Sequence, residues 1–87
     1  MFTVYVLFSK KFIKTYVGYT SDLEARILSH NSLATKGYTL KYRPWEVVHS
    51  EIFENKSDAL KREKALKAGQ GRIFIKELLQ SKGLISA

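Results

Sequence analysis

Tyr16-Val17-Gly18-Tyr19-Thr20-Ser21-Asp22-Leu23-Glu24-Ala25-Arg26, followed by His30 and Asn31, changes its period halfway along. The first residues are aromatic and β-branched, as in a strand. Ser21 and Glu24 then form an S-x-x-E capping box, and Leu23, Ile27 and Leu28 supply the apolar stripe of an amphipathic helix running to about His30. Upstream, Phe2 to Phe8 has the same strand composition, and the polar Ser9 to Phe12 reads as a hairpin connection to a strand from Ile13 to Tyr19. If Phe8 pairs with Ile13, Tyr5 lies opposite Tyr16. Gly18 weakens its strand, which points to a close approach by another backbone or a ligand.

Downstream, Asn31 to Pro44 shows no clear period and reads as a loop or short helical turn. A third strand is expected from Trp45 to Phe53, with Val47, Val48, Ile52 and Phe53 in the core. Asn55 or Ser57 can cap a helix through about Ala68. Gly69-Gln70-Gly71 separates it from a last helix whose stripe is Phe74, Ile75, Leu78 and Leu79. The order is β-β-α-β-α-α, an α+β fold.

The 87 residues suit one domain, residues 1–87, that buries about 60–65% of its unfolded surface. Fifteen Lys and Arg against eight Asp and Glu give a net charge of +7, with 45% hydrophobic residues, so a folded cation with a polyanionic partner is expected. The competing reading of that charge is solubilising surface. No stretch is apolar enough to span a membrane, and no signal peptide is evident, so a soluble, cytoplasmic protein is expected. The absence of cysteine excludes a disulfide scaffold, thiolate zinc ligands and a Cys nucleophile.

Arg26 and His30, four apart, share a helix face: either a solvated pair bordering the core, or a phosphate clamp beside a proton carrier. Glu63 falls within the apolar stripe of Ala59, Leu60 and Leu66. A buried carboxylate needs a partner, either a salt bridge or a hard cation such as Mg²⁺ that keeps several waters and takes further ligands from a phosphate. Tyr5 and Tyr16 suit core packing or, beside a cation, acid–base chemistry. Between residues 36 and 45, Lys36, Lys41 and Arg43 interleave with Tyr38, Tyr42 and Trp45, a mixture that holds phosphates and stacks bases, or that packs a core. Lys67 and Arg72 belong to a cationic group around Glu63 that either tracks phosphates or is solvated helix surface. His49 and Glu51 read as structural.

Together these residues resemble a GIY-YIG nuclease domain, and specifically the small single-domain proteins related to the nuclease part of the repair excinuclease. Val4-Tyr5-Val6 resembles the GIY element without its glycine, Tyr16-Val17-Gly18 resembles YIG, Arg26 matches the family arginine, and Ala59 to Lys67 resembles the helix bearing the metal-binding glutamate. The resemblance implies a small three-stranded antiparallel sheet flanked by helices and a Mg²⁺- or Mn²⁺-dependent endonuclease acting on DNA, with a link to repair or recombination. In it Glu63 would hold the metal and Arg26 the phosphate, while Tyr5, Tyr16 and His30 would position or deprotonate the attacking water. Lys36, Tyr38, Lys41, Arg43, Lys67 and Arg72 are the nucleic-acid-binding candidates, and a protein partner could supply targeting. Two positions depart from the pattern: Tyr19 stands where the excinuclease domains have a lysine, and Ile75 where many family members have an asparagine. The rival readings are a noncatalytic nucleic-acid-binding module of the same fold and a protein-interaction domain using Phe74, Ile75 and Leu78.

Overall fold

The structure is a computed structural model that describes residues 1–33 and 37–86. Strands β1 (Phe2–Ser9), β2 (Lys14–Thr20) and β3 (Glu46–Phe53) form one antiparallel sheet in the order β2-β1-β3. Helix α1 (Leu23–Leu28) continues into a π-helical turn, Ser29–Leu33; the single turn α2 (Tyr38–Lys41) precedes β3, and α3 (Lys56–Lys67) and α4 (Gly69–Ser81) follow it.

Central β1 is covered on both faces, which is why its sequence is almost continuously apolar rather than alternating. Val4, Val6 and Phe8 face Ala59 and Leu66 of α3 and Ile75 and Leu79 of α4. Tyr5 and Leu7 face the other way, into Trp45 with Tyr16, Leu23, Ile27 and Tyr42 around them.

Several expectations shift. Phe8 pairs with Thr15, so Tyr5 lies opposite Gly18, and Tyr16 opposite Leu7. The hairpin loop runs through Ile13, whose φ of 54° takes it out of the strand. The register moves by two residues, which leaves both tyrosines on one face. Asp22 rather than Ser21 caps α1, accepting from Ala25 N at 3.2 Å.

β3 begins at Glu46, and its register against β1 shifts between Val6 and Leu7. Val48 is buried, but Val47 and Ile52 are 41% and 67% exposed, because α1 covers Tyr5 and Leu7 and leaves the outer strand partly open. Asn55 caps α3, accepting from Asp58 N at 2.9 Å. The two glycines expected to separate the last helices belong instead to α4, and Gly71 is buried against the last turn of α3. Ile75 and Leu78 pack on the core, so the stripe as a whole does not form an open helix face. Phe74 alone of that stripe is exposed, with the Arg62 guanidinium 5.5 Å from its ring centre.

Candidate active site

β1 and β2 bring the two tyrosines together. Their ring centres are 6.3 Å apart at 29°. Tyr5 is 1% exposed, and its ring end lies over Gly18, where a Cβ would come within 2.5 Å of the phenol oxygen. This is the close approach that the glycine in the strand signals, with a side chain of the same sheet as the visitor.

His30 enters from the π-helical turn. The ring lines the same hollow as Arg26, four residues earlier. Its Nε2 is 2.9 Å from the Tyr5 hydroxyl, and its ring centre is 4.9 Å from that of Tyr16. Burial lowers the His30 pKa from its ordinary 6.5, and the charges of Arg26 and Arg43 lower it further. Burial raises that of Tyr5; nearby Arg26 opposes the rise, while Tyr16 and the Glu63 carboxylate add to it. The phenol therefore keeps its proton beside a neutral imidazole, and with the ring hydrogen on Nδ1 it donates to Nε2.

Two residues outside the expected catalytic set hold the turn. Asn31 pairs with the backbone of Trp45 in both directions, accepting from its N–H at 2.6 Å and donating to its carbonyl at 3.0 Å. Arg43, expected to bind nucleic acid, donates to the carbonyls of His30 at 2.6 Å and Ser29 at 3.3 Å. It braces the backbone that carries the histidine. Asn31 stands next to His30 in the sequence, but its partner is fourteen residues on and leaves no periodic trace.

Glu63 projects from α3 with a side chain only 15% exposed, and its neighbours Ala59 and Leu66 are fully packed. Its ion pair is with Lys67 Nζ at 3.6 Å, one turn on, and that lysine side chain is 54% exposed. With its lysine end in solvent, such an i,i+4 pair is weak and easily exchanged. The adjacent Arg62 turns to β3, where its Nε donates to both Glu51 oxygens at 3.0 and 3.1 Å, and His49 Nε2 is 2.7 Å from the same carboxylate. Burial would raise the Glu51 pKa, but these two partners outweigh it and hold the group below its ordinary value. Glu51 thus has its partners within the fold, whereas Glu63 is held only loosely.

Among the described residues no three His, Cys, Asp or Glu converge as a metal-holding group. The donor set is a single loosely paired carboxylate. That fits a hard cation which retains most of its waters and draws remaining ligands from a substrate, and does not fit a closed structural site.

Arg26 lies on the rim of a hollow of about 310 Å³ shared with Tyr16, His30 and Tyr38. Of the nucleic-acid candidates, Tyr38 is 45% exposed, Lys41 places Nζ 5.4 Å from the Tyr42 ring centre, and Lys67 and Arg72 line a neighbouring cleft. Lys36 falls outside the described residues. Tyr19 and Ile75 pack against or within the core, so at these two departures apolar contact replaces a polar side chain.

Residues 1–73 match the family model of the GIY-YIG catalytic domain. This chain belongs to the GIY-YIG family. A UPF0213 protein of Staphylococcus saprophyticus is 46% identical over 52 residues, 60% of this chain and 63% of that protein. One from Staphylococcus haemolyticus is 44% identical over 52 residues with the same coverage. The match therefore spans less than two thirds of the length of these curated relatives. The solution NMR structure of a UPF0213 protein from Bacillus halodurans aligns with a TM-score of 0.52 at 30% identity, covering 90% of this chain and 85% of that one. GIY-YIG domains form a nuclease superfamily that generally uses divalent metals. No helix among the described residues of this GIY-YIG domain is long and apolar enough to cross a membrane.

The burial of His30 has a measurable consequence. Its folded pKa lies below the unfolded 6.5, so the unfolded chain binds more protons between the two values. The stability that His30 contributes is complete above pH 6.5 and is lost as pH falls through the folded pKa. Thermal melts from pH 8 to pH 5 are expected to show a smaller fall in Tm for His30→Gln than for wild type. Parallel curves would refute a depressed His30 pKa.

Proposed function

We propose that this GIY-YIG domain is a metal-dependent endonuclease that hydrolyses phosphodiester bonds in DNA, residues 1–87 acting as one catalytic unit in cytoplasmic repair or recombination. The observation that supports it is the convergence of Arg26 and His30 on the Tyr5–Tyr16 pair, with the Glu63 carboxylate in electrostatic reach of Tyr5. Arg26 receives the phosphate in the hollow and neutralises charge that grows on its oxygens. Glu63, once parted from Lys67, is the residue that would hold Mg²⁺ or Mn²⁺, and the ion would supply Lewis-acid stabilisation of the developing charge. Tyr16, less buried than Tyr5, contacts the substrate side and orients the attacking water. Tyr5 takes the water's proton while passing its own to His30 Nε2. The imidazole, neutral and already in hydrogen-bond contact, is set to accept it. As the water oxygen bonds to phosphorus, the phosphorus–oxygen bond to the leaving group breaks, and the leaving oxygen takes a proton from solvent in the open hollow.

The experiment is a nicking assay on branched, flapped, single-stranded and duplex DNA with Mg²⁺ or Mn²⁺ and with excess chelator. Cleavage with metal and none with chelator is expected. Metal-independent cleavage, or none on any substrate, would overturn the proposal; binding without cleavage would favour the noncatalytic module. The apolar packing of Ile75, where the resemblance to many GIY-YIG members implies an asparagine, is the observation that favours that second reading.

A further inference from the structure

Tyr16 and Tyr38 form a shared wall between two clefts. Their rings stack at 6.2 Å and 29°. On one side is the Arg26 hollow. On the other is a cleft of about 440 Å³ between β2 and the α3–α4 pair, with Thr15, Val17, Leu66 and Ile75 around it and the cations Lys67 and Arg72.

We propose that this second cleft receives the base of the nucleotide next to the phosphate held by Arg26, turned out of its stack. The inference rests on the endonuclease reading and names the substrate feature that the same site selects. Three observations carry it. First, the cleft combines an apolar lining (Val17, Leu66, Ile75) with aromatic walls and two cations, the pairing that suits a nucleobase with its phosphates. Its volume falls in the range of small-ligand sites.

Second, Tyr38 is prepared as a stacking surface. It is 45% exposed, yet its hydroxyl donates to Thr15 O at 3.3 Å and its ring meets Tyr42 at 4.8 Å and Trp45 at 5.8 Å. An exposed ring fixed in this way loses little freedom when a base stacks on it. Third, Lys67 belongs to both places: it lines the cleft and pairs with Glu63, so the cleft opens one helical turn from the metal-holding carboxylate. A strand whose phosphate rests on Arg26 passes the Tyr16–Tyr38 wall and enters the cleft with its next nucleoside. The geometry favours DNA in which that base is unpaired, since unstacking a paired base costs a few kcal/mol.

The test is binding by the full chain in excess chelator, followed through the methyl NMR signals of Val17, Leu66 and Ile75. The probes are a thymidine trinucleotide and the same sugar–phosphate backbone with abasic residues. The trinucleotide is expected to shift these signals and the abasic backbone to leave them in place. Tyr38→Ala should weaken trinucleotide binding by about 5-fold to 150-fold, and Tyr38→Phe, which keeps the ring, by less than about threefold.

Equal shifts from both probes would overturn the proposal, since they would mean that only phosphate is recognised. Unchanged affinity in Tyr38→Ala would do the same. The comparison of probes on the wild-type chain stands even if that variant fails to fold. Absence of any shift would also reject the base cleft, while metal-dependent nicking by the same preparation would leave the endonuclease reading intact.

Discussion

A Glu63→Gln protein is expected to fold like the wild type and to cleave DNA at least about 10²- to 10³-fold more slowly in Mg²⁺, the scale on which removal of one transition-state stabiliser is felt. The amide preserves shape and can still pack beside Ala59 and Leu66, but it has no charge with which to hold a hard cation. What it removes from the fold is one ion pair at 3.6 Å to an exposed lysine, worth about 0.3–0.5 kcal/mol for an i,i+4 pair. Tm should therefore move by no more than a few degrees. Rates of wild type and variant compared over a Mg²⁺ titration, with melting curves alongside, separate the outcomes. Equal rates with equal Tm would remove Glu63 from the mechanism.

The second large effect concerns stability. In Gly71→Ala the new Cβ would collide with the Ala65 carbonyl oxygen and with the Leu66 Cα and carbonyl carbon, all of them backbone. No rotamer can relieve that contact. Only separation of α3 from α4 can, and that would open the packing of Leu66, Ile75 and Leu79. A loss at or above the usual overpacking range of about 1–3 kcal/mol is expected, with Tm lower by roughly 10 °C or more, or no soluble folded protein. Gly69→Ala is the control: its Cβ would meet nothing within 4 Å, and it should be neutral or stabilise by about 0.4–1 kcal/mol. Circular-dichroism melts of the two variants decide the matter. A Gly71→Ala protein as stable as Gly69→Ala would refute the close helix contact.

Features with a short repeat were legible in the sequence. The three strands, the first helix and the Asn55-capped helix follow from local composition and capping. Glu63 was visible because a charge interrupts an apolar stripe. What escaped depends on contacts distant in sequence. The hairpin register turns on Ile13 adopting a positive φ, which a β-branched residue does not advertise. The role of Gly71 depends on which helix turn lies beneath it. Arg43 reads as a nucleic-acid-binding candidate from its type and aromatic neighbours, and nothing local reveals the two carbonyls it also braces. The Tyr5–His30 contact was reachable only as two candidates for one site, since the π-helical turn that joins them has no pattern of its own.

The displaced register of β3 has an outcome for the molecule in a crowded solution. A sheet of three strands leaves its margins unpaired, and a straight, apolar margin would invite another chain to add itself in ribbon fashion. Here that outer strand is irregular opposite Val6 and Leu7, and it opens on Glu46, with Glu54 just beyond its end, on a chain that is otherwise cationic. Like charges on a bent ribbon make a poor template for self-addition, so Val47 and Ile52 can remain uncovered without becoming an invitation to aggregate.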